Sequence, residues 1–146
     1  MTRQRFSVDT NILIYSIDKD AGPRHEQARA LMDALADTDC VLSLQALGEF
    51  FHAVTRKAKM PAEEAAALLD DWMELFPVAA ADRRTLRDAI GLKSTHAFGF
   101  WDAMLVETAR VAWRNAAPHR RHARRSQGWG HAAGEPVQGG LRARPD

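Results

Sequence analysis

The chain has 146 residues, 46% of them hydrophobic, and a formal net charge of +1, a composition typical of one soluble globular domain long enough to bury a core. Its single cysteine, Cys40, excludes an intramolecular disulfide framework and has no partner at metal-ligand spacing, so we expect a reduced, cytoplasmic location. The first residues carry no apolar signal segment and no run approaches membrane-spanning length, so we expect no membrane association.

The first predicted element is a short strand, RFSV, at residues 5–8. Three polar residues, Asp9, Thr10 and Asn11, follow this strand directly and separate it from a second apolar run, ILIY. Short polar side chains turn the backbone and cap the next helix. They also stand where open α/β sheets build their sites, at the carboxyl ends of central strands. From the residues alone, Asp9 is therefore either a helix cap or part of a site.

Strands and helices alternate along the rest of the sequence. The predicted strands are 5–8, 40–44 and 76–81, and the predicted helices are 24–35, 45–58, one starting at Pro61, one from Asp82 to about Gly91, and 98–112. Four of these helices have apolar sets at helical spacing, which are Ala28, Leu31, Met32 and Leu35, then Leu47, Phe50, Phe51 and Val54, then Leu68, Leu69, Trp72 and Leu75, then Met104, Leu105, Thr108 and Val111. Such alternation predicts an α/β sandwich with a parallel sheet.

The character of the sequence changes at residue 113. Residues 113–146 hold seven arginines against two acids, five of the nine glycines and three of the six prolines, with no aliphatic periodicity. Such a segment cannot bury enough apolar surface to offset its ordering entropy, so we expect it to be mostly disordered. Its arginines are typical either of a nucleic-acid-binding arm or of a solvated tail.

Three carboxylates stand beside apolar residues at element boundaries: Asp9, Glu49 in ALGEFF and Asp102 in GFWDAML. Hard divalent cations such as Mg²⁺ take oxygen ligands, and metal-assisted phosphodiester hydrolysis needs such a carboxylate cluster. Each acid also has a structural explanation. Glu49 could pair with Arg56 or Lys57 on its own helix, and Asp102 suits a helix start because acids there interact favourably with the macrodipole. The residues alone leave both interpretations open.

Aromatic residues precede the last of these acids. We expect Phe98, Phe100 and Trp101 to pack the Asp102 helix onto the sheet. The alternative is that they stack on bases, as aromatic side chains do in RNA-binding proteins.

Three blocks of the sequence resemble the signature blocks of PIN-domain ribonucleases, and most closely those of the VapC-type toxins of bacterial toxin–antitoxin pairs. The blocks are VDTNILIYSID, LSLQALGEFFHAVTRK and FGFWDAMLVETARVA, in the family's order. The resemblance implies an α/β/α sandwich with a short parallel sheet and an endoribonuclease that depends on Mg²⁺ or Mn²⁺. It also implies a homodimer that is inhibited by a small antitoxin protein of VapB type.

The same resemblance assigns roles to six residues by matching position. Asp9, Glu49 and Asp102 would be the catalytic carboxylates and the metal ligands. Thr10 and Asn11 would shape the first turn, the asparagine by bonding neighbouring backbone and the threonine by orienting water or phosphate. The sixth residue, Ser43, precedes the Glu49 helix and is a candidate for a supporting contact.

The C-terminal segment departs from this family. Family members continue with a glycine turn, an apolar strand, an acid pair that supplies a fourth carboxylate, and a final strand near Asn-Pro-Phe. We therefore divide the chain into a PIN-like domain at 1–112, truncated relative to the family and lacking its last strands, and a tail at 113–146. Among the permitted codons for the tail, one choice read one base later gives GATLLLTEDMQDGAKVGGMRLVNPF, the expected ending. We interpret the tail as the product of a frameshift near residue 112, in the gene or in its reading.

Three functions compete at this point. The first is a metal-dependent endoribonuclease that acts as the toxin of a type II toxin–antitoxin system. The second is a catalytically weak or inactive remnant that only binds the cognate antitoxin. The third is a metal-dependent phosphatase or DNA nuclease, since three carboxylates do not specify the phosphate ester and the mildly acidic body gives no charge argument for nucleic acid.

Overall fold

A computed structural model of the chain describes residues 4–56, 59–97 and 99–115, which form three strands and six α-helices. In chain order the elements are β1 (Arg5–Ser7), α1 (Thr10–Ile17), α2 (Pro23–Leu35), β2 (Asp39–Ser43), α3 (Leu44–Thr55), α4 (Ala62–Leu75), β3 (Val78–Ala79), α5 (Arg83–Thr95) and α6 (Phe100–Asn115). A short 3-10 turn at Lys19–Ala21 separates α1 from α2. Within these ranges no helix is long and apolar enough to cross a membrane.

The three strands form one parallel sheet in the order β1-β2-β3. Phe6 pairs with Cys40, and Ser43 pairs with Ala79, so β2 lies in the centre. Its central position explains why the side chains of residues 40–43 are all buried. Parallel strands require long crossovers, and the helix pairs α1–α2 and α3–α4 supply them. The predicted α/β fold with a short parallel sheet is confirmed.

Helices cover the sheet in two groups with separate cores. The larger core draws its buried side chains from Val8, which follows β1, from β2 and from α1–α4, and ends at Phe76. The smaller core joins Ala89 of α5 to Ala103 and Met104 of α6, and α6 packs against all three strands. This arrangement agrees with the predicted sandwich. The predicted absence of the family's last strands concerns residues 116–146, which lie outside the described residues, and stays a prediction.

The centre of the larger core is an aromatic pair. The rings of Phe50 on α3 and Trp72 on α4 meet edge to face, with centroids 4.8 Å apart and planes inclined by 72°. Both side chains are almost completely buried. Truncating either to alanine would cost about 3–5 kcal/mol of stability by the usual penalty for large core residues. The pair therefore fixes α3, the helix that carries Glu49.

The junction between α1 and α2 accounts for one buried carboxylate and one buried histidine. Asp18 ends α1 and accepts a hydrogen bond from the Asp20 N–H at 3.1 Å, and burial raises the pKa of its carboxyl. The His25 ring donates from Nδ1 to the carbonyl oxygen of Tyr15, 2.9 Å away. Gly22 takes φ = 60° in the turn that precedes α2, a conformation that glycine adopts at little cost. His25 thus has a structural partner.

Some predicted details are wrong. Leu31 and Leu75 are predicted to face inward but are 41% and 39% exposed. Leu31 lies beside the buried stripe of Ala28, Met32 and Leu35, and Leu75 is the last residue of α4. Helix α5 continues four residues past Gly91, since an interior glycine weakens a helix by only about 1 kcal/mol. Helix α6 runs past residue 112 to Asn115, and the rest of the predicted tail lies outside the described residues.

Candidate active site

Asp9 caps helix α1. Its backbone is extended, and its Oδ1 accepts a hydrogen bond from the Ile12 N–H at 3.1 Å. Among the described residues no donor reaches the other carboxylate oxygen, and the side chain is exposed. The capping interpretation is therefore confirmed, and it occupies only one of the two oxygens. Capping and ligation are compatible at this position, because one carboxylate offers about four lone-pair sites.

Glu49 is connected to the turn that contains Asp9. The Thr10 hydroxyl donates to Glu49 Oε2 at 2.9 Å, across 39 positions of sequence, and the Gln45 side-chain amide donates to Oε1 at 2.8 Å. Helices α1 and α3 pack against each other, which brings these residues together. No pairing with Arg56 is present, and Lys57 lies outside the described residues. The Glu49 carboxylate is thus oriented by neutral donors rather than by a cation.

Asp102 lies in the first turn of α6 and is exposed. A Cβ built on Gly99 would sit 3.1 Å from Asp102 Oδ2, closer than most real Cβ contacts. The carboxylate therefore folds back over Gly99, where the missing side chain leaves it room. The Gly99 carbonyl also accepts the Ala103 N–H at 3.0 Å and closes the first turn. Since α6 crosses all three strands, Asp102 is carried by the same helix that covers one face of the sheet.

The two remaining predicted residues occupy different settings. Asn11 is exposed in the first turn of α1. Ser43 is buried at the end of β2 and caps α3, its Oγ accepting from the Ala46 N–H at 3.0 Å. Ser43 thereby fixes where α3 starts and, six residues on, where Glu49 stands. Its contact therefore positions Glu49 through the backbone of α3 and does not involve the Glu49 carboxylate.

The chemistry of the donor set suits a hard divalent cation, but the carboxylates do not converge fully. Asp9, Glu49 and Asp102 offer only oxygen, the donor that Mg²⁺ and Mn²⁺ prefer, and no Lys or Arg of the described ranges pairs with them. Across residues 4–56, 59–97 and 99–115, however, no three His, Cys, Asp or Glu side chains come close enough together to hold a metal ion. The structure links Glu49 to the Asp9 turn through Thr10, and the assignment of the three acids as ligands stays a prediction.

A basic helix begins at the same edge of the sheet. Because the strands are parallel, the segments that follow β1, β2 and β3 all leave from one edge, so α5 starts on the side from which Asp9 departs. Asp82 caps α5 in a reciprocal capping box, and hydrogen bonds from the Thr85 N–H and hydroxyl lower the pKa of its carboxyl. Behind this cap α5 carries four basic residues against one acid, which are Arg83, Arg84, Arg87 and Lys93 against Asp88.

Sequence reasoning missed two features of this region. The role of Gln45 was missed, although its spacing of four residues from Glu49 predicts side-chain contact on one helix face. Trp101 is predicted to pack against the sheet but is 64% exposed, so this prediction is wrong. Phe100 is half-buried against the smaller core, as expected, and Phe98 lies outside the described residues.

The fold and the acidic positions define a class of protein: a parallel α/β sandwich with carboxylates where the chain leaves β1, in the middle of α3 and at the start of α6. The family model described as PIN domain matches residues 7–113, more than two thirds of the chain, and the protein belongs to that family. The matched range includes all six predicted site residues. PIN domains are typically nucleases, they generally use divalent metal ions, and many work with antitoxin partners. No curated protein matches the chain.

Proposed function

We propose that this protein is a metal-dependent endoribonuclease and the toxin component of a type II toxin–antitoxin system, active as a cytoplasmic homodimer and inhibited by a small VapB-type antitoxin. The observation that carries the catalytic part is the hydrogen bond between Thr10 and Glu49. It joins the residue after Asp9 to an acid on another helix, within the range that matches a family of nucleases.

In this proposal Asp9, Glu49 and Asp102 hold one Mg²⁺ or Mn²⁺, and the ion supplies Lewis-acid chemistry at a phosphodiester. Thr10 and Gln45 fix both oxygens of Glu49 in advance, which reduces the ordering cost of binding. Each supporting hydrogen bond of this type is worth about 10- to 100-fold in metal affinity or activity.

The basic helix α5 supports a nucleic-acid substrate. The chain as a whole is nearly neutral, so the positive charge of α5 is a local feature. This helix begins at the carboxyl ends of the strands, where Asp9 also lies. Arg83 and Arg87 make no ion pair with described residues, whereas Arg84 approaches Asp88 at 3.9 Å. Exposed arginines of this kind contact backbone phosphates regardless of sequence.

The test is cleavage of a single-stranded RNA in Mg²⁺ or Mn²⁺ by the full chain and by Asp9→Asn, Glu49→Gln and Asp102→Asn. We expect each variant to fall at least about 100-fold in rate, more than removing one supporting hydrogen bond would cost. Asp33→Asn, which changes an exposed acid on α2, is the matched control and should cleave like the parent. If the parent and Asp9→Asn both cleave RNA only at the background rate, the protein is not the ribonuclease that we propose.

The second candidate is a chain that binds the cognate antitoxin without cutting RNA. It is favoured by the absence, among the described residues, of three acids close enough to hold an ion. Calorimetry with Mn²⁺ separates the candidates without relying on activity. Binding that Asp9→Asn abolishes supports the nuclease, and no binding to the parent supports the remnant.

The frameshift hypothesis explains why an enzyme of this family would carry an arginine-rich ending. It predicts that the DNA beyond the codon for Ala112 encodes GATLLLTEDMQDGAKVGGMRLVNPF in the neighbouring frame. Resequencing the locus decides it, because DNA that cannot encode that ending refutes the hypothesis. A corrected chain that cleaves RNA faster than the present one would support both the frameshift and the fourth carboxylate.

A further inference from the structure

Trp101 is the most exposed large hydrophobic side chain of the described residues, at 64% of its surface. Tryptophan is usually highly buried, so an exposed one in an ordered helix calls for a physical explanation. It stands in the first turn of α6, next in sequence to Asp102. Its place is therefore beside one of the three acids that we propose as metal ligands.

The geometry of α6 shows why Trp101 is uncovered. Met104 and Thr108 follow at helical spacing on the same side of the helix, and both are buried. The stripe that packs α6 against the fold therefore continues toward the helix start, and Trp101 extends past the covered part. Solvent reaches the indole because no described element lies over it.

The indole is nevertheless supported by a neighbour. Its ring meets that of Phe100 edge to face, with centroids 5.0 Å apart and planes inclined by 66°. Phe100 in turn packs against Ala89, Ala103 and Met104 in the smaller core. An aromatic surface held in this way loses little conformational entropy when a flat ligand stacks on it.

We propose that Trp101 stacks on one base of a single-stranded RNA whose backbone passes Asp102. This inference rests on the proposed function and adds a base contact to it. Stacking accepts any base, because every base has a π-face, and it requires an unpaired base, so the substrate is a loop or single strand. A protein partner is the less favoured occupant, since a docking helix face would continue along α6, where positions 104 and 108 are already buried.

The experiment measures binding without cleavage. A fluorescein-labelled 12-nucleotide RNA is titrated in EDTA with the full chain, with Trp101→Ala and with Trp101→Phe. The same titration is made with oligonucleotides that carry one abasic nucleotide at each position in turn. Leu31→Ala, which removes another exposed apolar side chain on α2, is the control, and thermal melting confirms that each variant is folded.

We expect Trp101→Ala to weaken binding about fivefold or more, Trp101→Phe to weaken it less, and Leu31→Ala to bind like the parent. At one position, removing the base should weaken binding to the parent but not to Trp101→Ala. This coupling is specific to stacking, since a structural role would weaken every oligonucleotide equally.

Two results would overturn the inference: unchanged RNA binding by Trp101→Ala, or a weakening that is equal for all abasic positions. If RNA binding is unchanged and the oligomeric mass of Trp101→Ala is altered, Trp101 belongs to a protein contact. Because the titration needs no metal and no cleavage, its outcome is independent of the nuclease test. A parent that cleaves RNA while Trp101→Ala binds normally would refute the stacking alone.

Discussion

Asp9 caps a helix and is proposed to hold a metal ion, and two substitutions separate these roles. Asparagine is as good an N-cap as aspartate, so Asp9→Asn keeps the hydrogen bond from Ile12 and removes the charge. We expect it to change stability by less than about 0.5 kcal/mol, the order of an exposed charge at a helix N-terminus. Asp9→Ala removes the cap as well and should cost about 1 kcal/mol.

These magnitudes translate into melting temperatures. In a chain of this size a destabilisation of about 1 kcal/mol lowers Tm by about 2–5 °C. Metal binding to the native state acts in the opposite direction, and Mn²⁺ at about 100 times its Kd stabilises by about 2.7 kcal/mol. The parent should therefore melt several degrees higher with Mn²⁺ than with EDTA.

The assay is thermal unfolding of the parent and both variants in EDTA and in Mn²⁺. In EDTA only Asp9→Ala should melt markedly lower than the parent, and in Mn²⁺ neither variant should gain stability. If Asp9→Asn keeps the full metal-induced shift and full cleavage, Asp9 is a cap and nothing more, and the reasoning about the site is refuted.

Three further predictions follow from the same structure. In the first, both Arg83 and Arg87 are replaced with glutamine. The plot of log affinity for single-stranded RNA against log salt concentration should then become less steep, by about 0.7 for each phosphate that the protein no longer neutralises. An unchanged slope would mean that the RNA does not contact this part of α5. Ser43→Ala removes the cap of α3 and should lower the free energy of unfolding, measured in urea, by about 1 kcal/mol. The control is Ser16→Ala, which removes only a hydrogen bond to the Leu13 carbonyl in its own helix and should change that free energy little. Equal effects of the two substitutions would contradict the capping role. Burial raises the pKa of the Cys40 thiol to about 12 from 9.0, so it should resist iodoacetamide at about pH 8 until the protein unfolds. The native thiol stays protonated where the unfolded one ionises, so stability from this group is complete below about pH 9 and declines above it; rapid labelling of the folded protein would contradict this.

Local signals predicted the parts of the fold that depend on neighbouring residues. The strand that ends before Asp9 and the helix capped by Asp82 follow from short patterns of apolar and capping residues, and the structure contains both. The contact between Thr10 and Glu49 spans 39 positions, and only the packing of α1 on α3 creates it. No periodicity contains that information.

The exposure of Trp101 was unpredictable for a related reason. Helical spacing places it on the same stripe as Met104, but spacing does not tell how far along a helix the neighbouring elements extend. Leu75, the last residue of α4, was misplaced in the same way, whereas Leu31 lies in the middle of α2, beside the buried stripe. Periodicity identifies the direction in which a side chain points, and tertiary structure decides whether anything covers it.

The position of β2 has a consequence for the kinetics of the site. Within the described residues β2 has a hydrogen-bonded neighbour on both sides, whereas β1, which leads to Asp9, has one. Amide protons of an edge strand exchange through smaller openings than those of the central strand. Asp9 therefore follows a fast-exchanging strand, β1, whereas Glu49 lies on the helix that follows the slow-exchanging strand β2. An ion that joined Asp9 to Glu49 would slow deuterium uptake in β1 more than in β2.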